Sequence, residues 1–269
     1  MTGKILDFQC AVVTGGAGGL GFVMAEWFIQ QGKKVILVGR TESNLKEASS
    51  KLNNASYYVL DTGKISDIPD FAKKVVKEHP EVDCLVNNAG VQRPLDVTDL
   101  NLGWLDQEID INVRGPIHLA NAFLPHFLSK KHAVIANVSS VLGIVPFSIV
   151  NPGYNGTKAY MHFYSEAQRV QLAHTPVRVV EILPPQVATA LHRDRVDPAD
   201  NTPEKSPTSL TPEQFMQEVA EQLQQDKDVV TAGPGKKLVG QWYDTFGQTF
   251  AGAAKNYDHS QPKIGEHAK

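Results

Sequence analysis

The segment Thr14–Gly15–Gly16–Ala17–Gly18–Gly19–Leu20–Gly21 follows the apolar run Ala11–Val12–Val13 and opens a stretch of helical period, Leu20–Gln31. A β-branched strand must end there, turn on residues without a Cβ, and enter a helix whose first N–H groups are unpaired. Strand, glycine turn and helix N-terminus together suit the pyrophosphate of a dinucleotide. Gly15 permits the tight turn, Gly19 lets the backbone approach phosphate, and Gly21 allows helix to pack closely on strand. The spacing is Gly-x-x-x-Gly-x-Gly, not the commoner Gly-x-Gly-x-x-Gly.

The chain repeats this alternation. Ala11–Thr14, Lys34–Val38, Tyr57–Leu60, Asp83–Asn87, Ala133–Val138 and Arg178–Leu183 read as strands, with a weaker seventh at Asp228–Thr231. Several are apolar on consecutive residues, as strands covered on both faces are. Helical period marks Leu20–Gln31, Ser43–Leu52, Ile68–Glu78, Asn101–Ser129 (whole or in pieces) and Tyr154–Ala173. The predicted fold is α/β, a single-domain, Rossmann-like doubly wound parallel sheet of about seven strands with helices on both faces. The expected domain covers residues 1–254 of the 269. Leu191–Thr211 breaks the pattern with Pro198, Pro203, Pro207 and mixed charges, so residues 190–212 read as a substrate lid or a disordered insertion. Residues 255–269 have no apolar period and read as a flexible tail.

Tyr154 and Lys158 lie four apart on the fifth helix, which sets one side chain over the other. A nearby ammonium favours the phenolate, so the expected Tyr154 pKa lies below the ordinary value of about 10. Such a phenol is a usable general acid near neutral pH. The second strand ends Val38–Gly39–Arg40–Thr41, without the acidic residue that bonds the adenosine ribose in NAD sites. Arg40 is either a solvated surface residue or a partner for adenine and a 2′-phosphate. The second alternative makes NADP(H) the expected cofactor.

Composition narrows the partners. A net charge of −3 gives no electrostatic reason to expect nucleic acid or an anionic membrane. Cys10 and Cys84 fall in apolar runs and read as small buried core residues. The nine histidines form no His-x-x-x-His pair beside an acid and no Cys-x-x-Cys occurs, so no metal is expected. Ser139–Ser140 lacks the glycine-flanked elbow of a hydrolase nucleophile. The N-terminus lacks a signal-peptide pattern, and polar residues interrupt Ala133–Val150, so no membrane span and a cytoplasmic location are expected.

With these residues assembled, the chain resembles the classical short-chain dehydrogenase/reductase family over residues 5–250. The motifs are Thr14-Gly15-x-x-x-Gly19-x-Gly21, Asn87–Asn88–Ala89–Gly90, Asn112, Asn137–Val138–Ser139–Ser140 and Tyr154-x-x-x-Lys158. Asn87–Arg93 and Glu181–Pro185 are similar to the branch of oxidoreductases named for the D-alanine lipoteichoic-acid operon. The resemblance implies that Tyr154 is the proton donor and Lys158 its partner and a ligand of the nicotinamide ribose. It implies that Ser140 binds the substrate oxygen and Asn112 anchors a water leading from Lys158 to solvent. Asp61 would bond adenine, Asn87 would line the adenosine side, and Thr189 would bond the nicotinamide amide. Leu20, Arg40, Thr41, Ala89, Gly90 and Val187 join the glycines in the implied cofactor set. Two departures stand out. The Ser140–Tyr154 interval is one residue longer than usual, which leaves Ser139 as the alternative serine. Pro184–Pro185 replaces the usual Pro-Gly, and the second proline removes an N–H donor.

The implied activity is NADPH-dependent hydride transfer between nicotinamide and a small, mostly apolar carbonyl or alcohol. Action on a C=N bond, a non-redox cyclisation and a non-catalytic NADP(H)-binding regulator stay open as alternatives. Gln92, Arg93, Val141, Leu142, Phe147, Pro185, Gln186, Val187 and Leu191 are the expected pocket residues. Apolar surface on Asn101–Ser129 and Tyr154–Ala173, with the family's four-helix contact, implies a homodimer or homotetramer.

Overall fold

The computed structural model describes residues 3–260. Seven strands form one sheet: β1 (Cys10–Thr14), β2 (Lys34–Gly39), β3 (Ser56–Val59), β4 (Val82–Asn87), β5 (Ala133–Val138), β6 (Val177–Leu183) and β7 (Val229–Thr231). Their order is β3-β2-β1-β4-β5-β6-β7, and every pairing is parallel. The strands read from sequence match to within a residue at each end, because the central strands are covered on both faces and buried at every position.

The helices are α1 (Gly19–Gln30), α2 (Glu42–Lys51), α3 (Ile68–Glu78), α4 (Leu102–Ile109), α5 (Gly115–Leu128), α6 (Pro152–Leu172), α7 (Pro212–Gln224), α8 (Gly235–Trp242) and α9 (Gln248–Lys255). On one face of the sheet, Met24, Phe28, Leu45 and Phe215 from α1, α2 and α7 close a core with Val13 and Leu37. On the other, Ile68, Phe71, Leu119, Phe123 and Phe127 from α3 and α5 pack on Val12, Ile36 and Leu85. The reading of Asn101–Ser129 as one helical region resolves into α4 and α5, joined by a π-helical turn at Asp110–Arg114. Sequence reading assigned no helix beyond β6, yet α7, α8 and α9 all lie there. α7 has a readable signature, the capping box from Thr211 to Gln214.

The 190–212 segment is a chain of turns whose base is closed by a bridge between Val187 and Leu210. Asn201 lies buried beneath it, donating to the carbonyls of Val187 at 3.0 Å and Thr189 at 2.9 Å. Of the expected tail, residues 261–269 lie outside the described residues, while the ring of His259 stands 4.1 Å from that of His174. Among the described residues no helix is long and apolar enough to cross a membrane.

Candidate active site

The carboxyl ends of β1 and β4 are locked together by Thr14. Its Oγ1 donates to the Val86 carbonyl at 3.1 Å and accepts from the N–H groups of Asn88 at 2.9 Å and Ala89 at 3.0 Å. The glycine turn follows, with Gly15 at φ +65° and Gly19 at φ +52°, left-handed conformations that disfavour any other residue. A Cβ on Gly21 would lie 2.3 Å from the Gly15 carbonyl oxygen, so α1 approaches the turn as closely as backbone allows. A Cβ on Gly19 would meet Thr189 at 3.4 Å, which brings the loop after β6 against the glycine turn. One cavity of about 560 Å³ runs from this turn to Tyr154 and Lys158.

Tyr154 and Lys158 project from the first turns of α6, which starts with Asn151 at the N-cap and Pro152 in the first turn. The Lys158 Nζ donates to the Val138 carbonyl at 2.8 Å. Ser140 Oγ accepts from the Leu142 N–H at 3.1 Å and donates to the Pro184 carbonyl at 3.3 Å, and its hydroxyl lies close enough to Tyr154 to favour the phenolate. Ser139 instead turns its hydroxyl under the sheet, donating to Glu181 Oε1 at 2.5 Å. Geometry thus assigns the serine beside Tyr154 to Ser140.

Electrostatics correct one expectation. The Tyr154 phenol lies well above its ordinary pKa rather than below it. Burial is the largest cause and Glu108 adds to it, while the Ser140 hydroxyl and Arg195 pull the other way. The lysine rule fails because Lys158 is itself buried, which lowers its pKa to about 8 against the raising effect of Glu108.

Most expected site residues line the cavity: Gly15, Gly19, Leu20, Arg40, Asp61, Ala89, Gly90, Val187 and Thr189 toward the glycine turn, and Gln92, Val141, Leu142, Phe147, Pro185, Gln186 and Leu191 toward Tyr154. Five do not. Asn87 turns into the sheet and donates to Asn137 Oδ1 at 2.9 Å, leaving the wall to Asn88. Thr41 is the exposed residue preceding α2, and Asn44 takes the wall in its place. Gly21 acts by packing alone. Asn112 is absent from the wall: it clasps the backbone of Val91 through bonds of 2.9 Å and 2.8 Å and donates to Thr157 Oγ1 at 3.1 Å. Arg93 turns away from the cavity, its guanidinium 5.2 Å from the Trp104 ring and 3.5 Å from Asp194.

Sequence reasoning missed His192, Arg193 and Arg195, which line the cavity from the segment after β6. Arg195 donates to Asp200 at 2.7 Å, Gln92 at 2.9 Å and Asn151 at 2.6 Å, and His192 pairs with the same Asp200. Burial lowers the His192 pKa. The mixed charges of the segment were legible; their pairing over Tyr154 was not. A second buried cluster, His162, Glu166 and Glu181, places possible metal-ligand atoms within 4.8 Å of one another. No local motif announces it, since tertiary packing assembles it. Its carboxylates are already engaged, Glu181 by Ser139 and His162, Glu166 by Arg169 at 2.8 Å and by Tyr243.

Comparisons with known proteins bear on the family and the fold. Residues 9–200 match the family described as short chain dehydrogenase. The chain is 32% identical over 222 residues to the uncharacterized oxidoreductase DltE of Bacillus subtilis, covering 82% of this chain and 86% of that one. The closed form of a serine dehydrogenase complexed with NADP+ shares 28% identity and a TM-score of 0.74, over 84% of this chain and 95% of that one. A short-chain dehydrogenase from Sphingobium yanoikuyae, 22% identical, has the same fold with a TM-score of 0.78 over 96% and 99% of the two chains. With the fold, the glycine turn and the Ser140–Tyr154–Lys158 grouping in place, the chain belongs to the short-chain dehydrogenase family and resembles its DltE branch.

Proposed function

We propose that this protein is an NADP(H)-dependent oxidoreductase acting on a small, mostly apolar carbonyl or alcohol. The observation that carries the reading is the single cavity that joins a glycine turn to the grouping of Ser140, Tyr154 and Lys158 on its wall. The glycine turn fits a dinucleotide: Cβ atoms at Gly15 and Gly21 would collide with Asn88 and the Gly15 carbonyl, so only glycine keeps the turn packed on α1, and a Cβ position at Gly18, just before α1, has nothing within 4 Å. Arg40 and Asn44 at the far end, with no acid at the tip of β2, favour a 2′-phosphate. Gly19, Leu20, Asp61, Thr189 and Lys158 complete the residues that would hold the cofactor.

A bound nicotinamide supplies or accepts the hydride. Ser140 and Tyr154 aim their hydroxyls at the substrate oxygen, and Tyr154 donates the proton that the alkoxide takes up. Lys158 keeps positive charge beneath that transfer. Val141, Leu142, Phe147, Pro185 and Leu191 give the substrate end its apolar walls, and the Arg195–Asp200 network holds the 190–212 segment over it as a lid. Exposed aromatic residues on α4 and α6 support a homodimer or homotetramer.

A screen of NADPH oxidation against ketones, aldehydes, quinones and imines tests the reading. Turnover on a C=O compound supports it, and turnover on imines alone moves the reaction to C=N. NADPH binding with no turnover on any of them overturns the oxidoreductase assignment.

A further inference from the structure

The only buried side chain of α4 is an acid. Leu102, Trp104 and Ile109 of this helix face solvent, while Glu108 has no exposure at all. That inverts the usual helix pattern, in which apolar residues face inward and ionisable ones outward. The Oε1 of Glu108 accepts from the Arg93 N–H at 3.3 Å, and Oε2 has no hydrogen-bond partner among the described residues. A Cβ on Gly153 would stand 2.7 Å from that Oε2, 2.9 Å from Leu95 and 3.0 Å from Leu105. The carboxyl therefore sits in an apolar slot against the first turn of α6, beside the residue that immediately precedes Tyr154.

The charged and titratable groups that face this slot are few. α6 contributes Tyr154 and Lys158, and the loop after β4 contributes Arg93. Arg195, from the segment after β6, acts on Tyr154. On α4 itself Asp106 is exposed, and the neighbouring Asp110 is paired with Arg114 at 2.6 Å. A negative charge here acts in the same sense on both members of the catalytic pair, because it opposes the phenolate and supports the ammonium.

We propose that Glu108 is a positioning residue for proton transfer: its carboxylate, behind the first turn of α6, holds Tyr154 and Lys158 in their protonated forms and biases the enzyme toward reduction. This inference rests on the reading of Tyr154 as general acid. Burial raises Glu108 to about 7, while Arg93 and Lys158 oppose that rise. The carboxylate thus forms as the pH passes neutrality, where the buried ammonium, at about 8, is next to lose its proton.

The test is Glu108→Gln, with Glu108→Met as a second uncharged variant that suits the apolar slot and Glu108→Asp as the variant that keeps the charge. Phenolate absorbance, with Tyr154→Phe identifying the residue, reads Tyr154 directly. Its ionisation should begin roughly one pH unit lower in the uncharged variants. With a substrate from the screen, the alkaline limb of reduction should move down by a similar amount, and the ratio of oxidation to reduction rate should rise several-fold. NADPH affinity should stay within twofold, and Glu108→Asp should restore the limb. An unmoved phenolate titration, or equal loss of both directions with unchanged limbs, overturns the proposal and leaves Glu108 a structural residue. A screen without turnover overturns the oxidoreductase reading instead, and the absorbance titration still decides the role of Glu108.

Discussion

The ammonium of Lys158 stands 5.5 Å from the centroid of the Tyr154 ring, while its hydrogen bond goes to the Val138 carbonyl. The lysine is therefore anchored to the end of β5 independently of the tyrosine hydroxyl. Tyr154→Phe should keep fold and NADPH affinity while slowing turnover by about 10²- to 10⁴-fold, the usual contribution of general acid catalysis. Lys158→Ala should lose both rate and cofactor affinity. Fluorescence titration with NADPH and steady-state rates separate the two; full turnover by Tyr154→Phe would remove Tyr154 as the acid.

Arg40 should set the choice of cofactor. NADPH is expected to bind at least tenfold tighter than NADH, a difference of about 1.4 kcal/mol. Arg40→Asp should abolish or reverse that preference by placing a carboxylate where the 2′-phosphate would sit. Equal affinities in the unmodified protein would make Arg40 a surface residue.

Gly21→Ala tests the packing of α1 on the glycine turn. The new methyl would meet the Gly15 carbonyl at 2.3 Å and Asn88 Nδ2 at 2.6 Å, and neither α1 nor the turn can move without the other. A loss of about 1–3 kcal/mol in stability is expected from such overpacking. Urea denaturation should show it together with weakened NADPH binding; unchanged stability would mean that α1 can slide.

The outer faces of α4 and α6 carry Trp104, Tyr160 and Phe163, exposed by 41%, 52% and 60%. Exposed aromatic residues on two helices of the same molecule are candidates for an association site. Light scattering at micromolar concentration should give a dimer or tetramer, and Phe163→Glu should shift it toward monomer. A monomeric unmodified protein would refute the expectation.

Stability should depend on Glu108 through pH. Its folded pKa of about 7 lies above the ordinary 4.5, so its contribution is fully present below pH 4.5 and is lost as pH rises through 7. The full loss is about 3 kcal/mol. Lys158, at about 8, changes its own contribution above that window. Urea denaturation at pH 5 and pH 8 should therefore show Glu108→Gln gaining on the unmodified protein as pH rises; a constant difference would contradict the raised pKa.

What the sequence made legible follows from locality. Strand, glycine turn and helix are contiguous, so Gly15, Gly19, Leu20 and the order of elements could be read directly. Tyr154 and Lys158 are legible because one helix fixes their spacing. Arg195 was not, since its contacts with Gln92 and Asn151 span 103 and 44 residues of chain. The direction of the Tyr154 shift was misread for a related reason, because spacing reveals a neighbouring charge but not the depth of burial. Glu108 carried no sequence signal, since a single acid on an amphipathic helix does not show which way it turns, and only the closeness of α4 to α6 makes it an interior acid.

The division of the cavity has an evolutionary consequence. α6 carries Tyr154 and Lys158 on one rigid rod, whereas the apolar walls come from separate loops after β4, β5 and β6. Loops tolerate insertion and exchange far better than a packed helix does. The extra residue between Ser140 and Tyr154 and the second proline at Pro185 are both changes of that kind. Under the proposed function, substrate preference would change by editing those loops one at a time while Tyr154 and Lys158 stay fixed together on their helix.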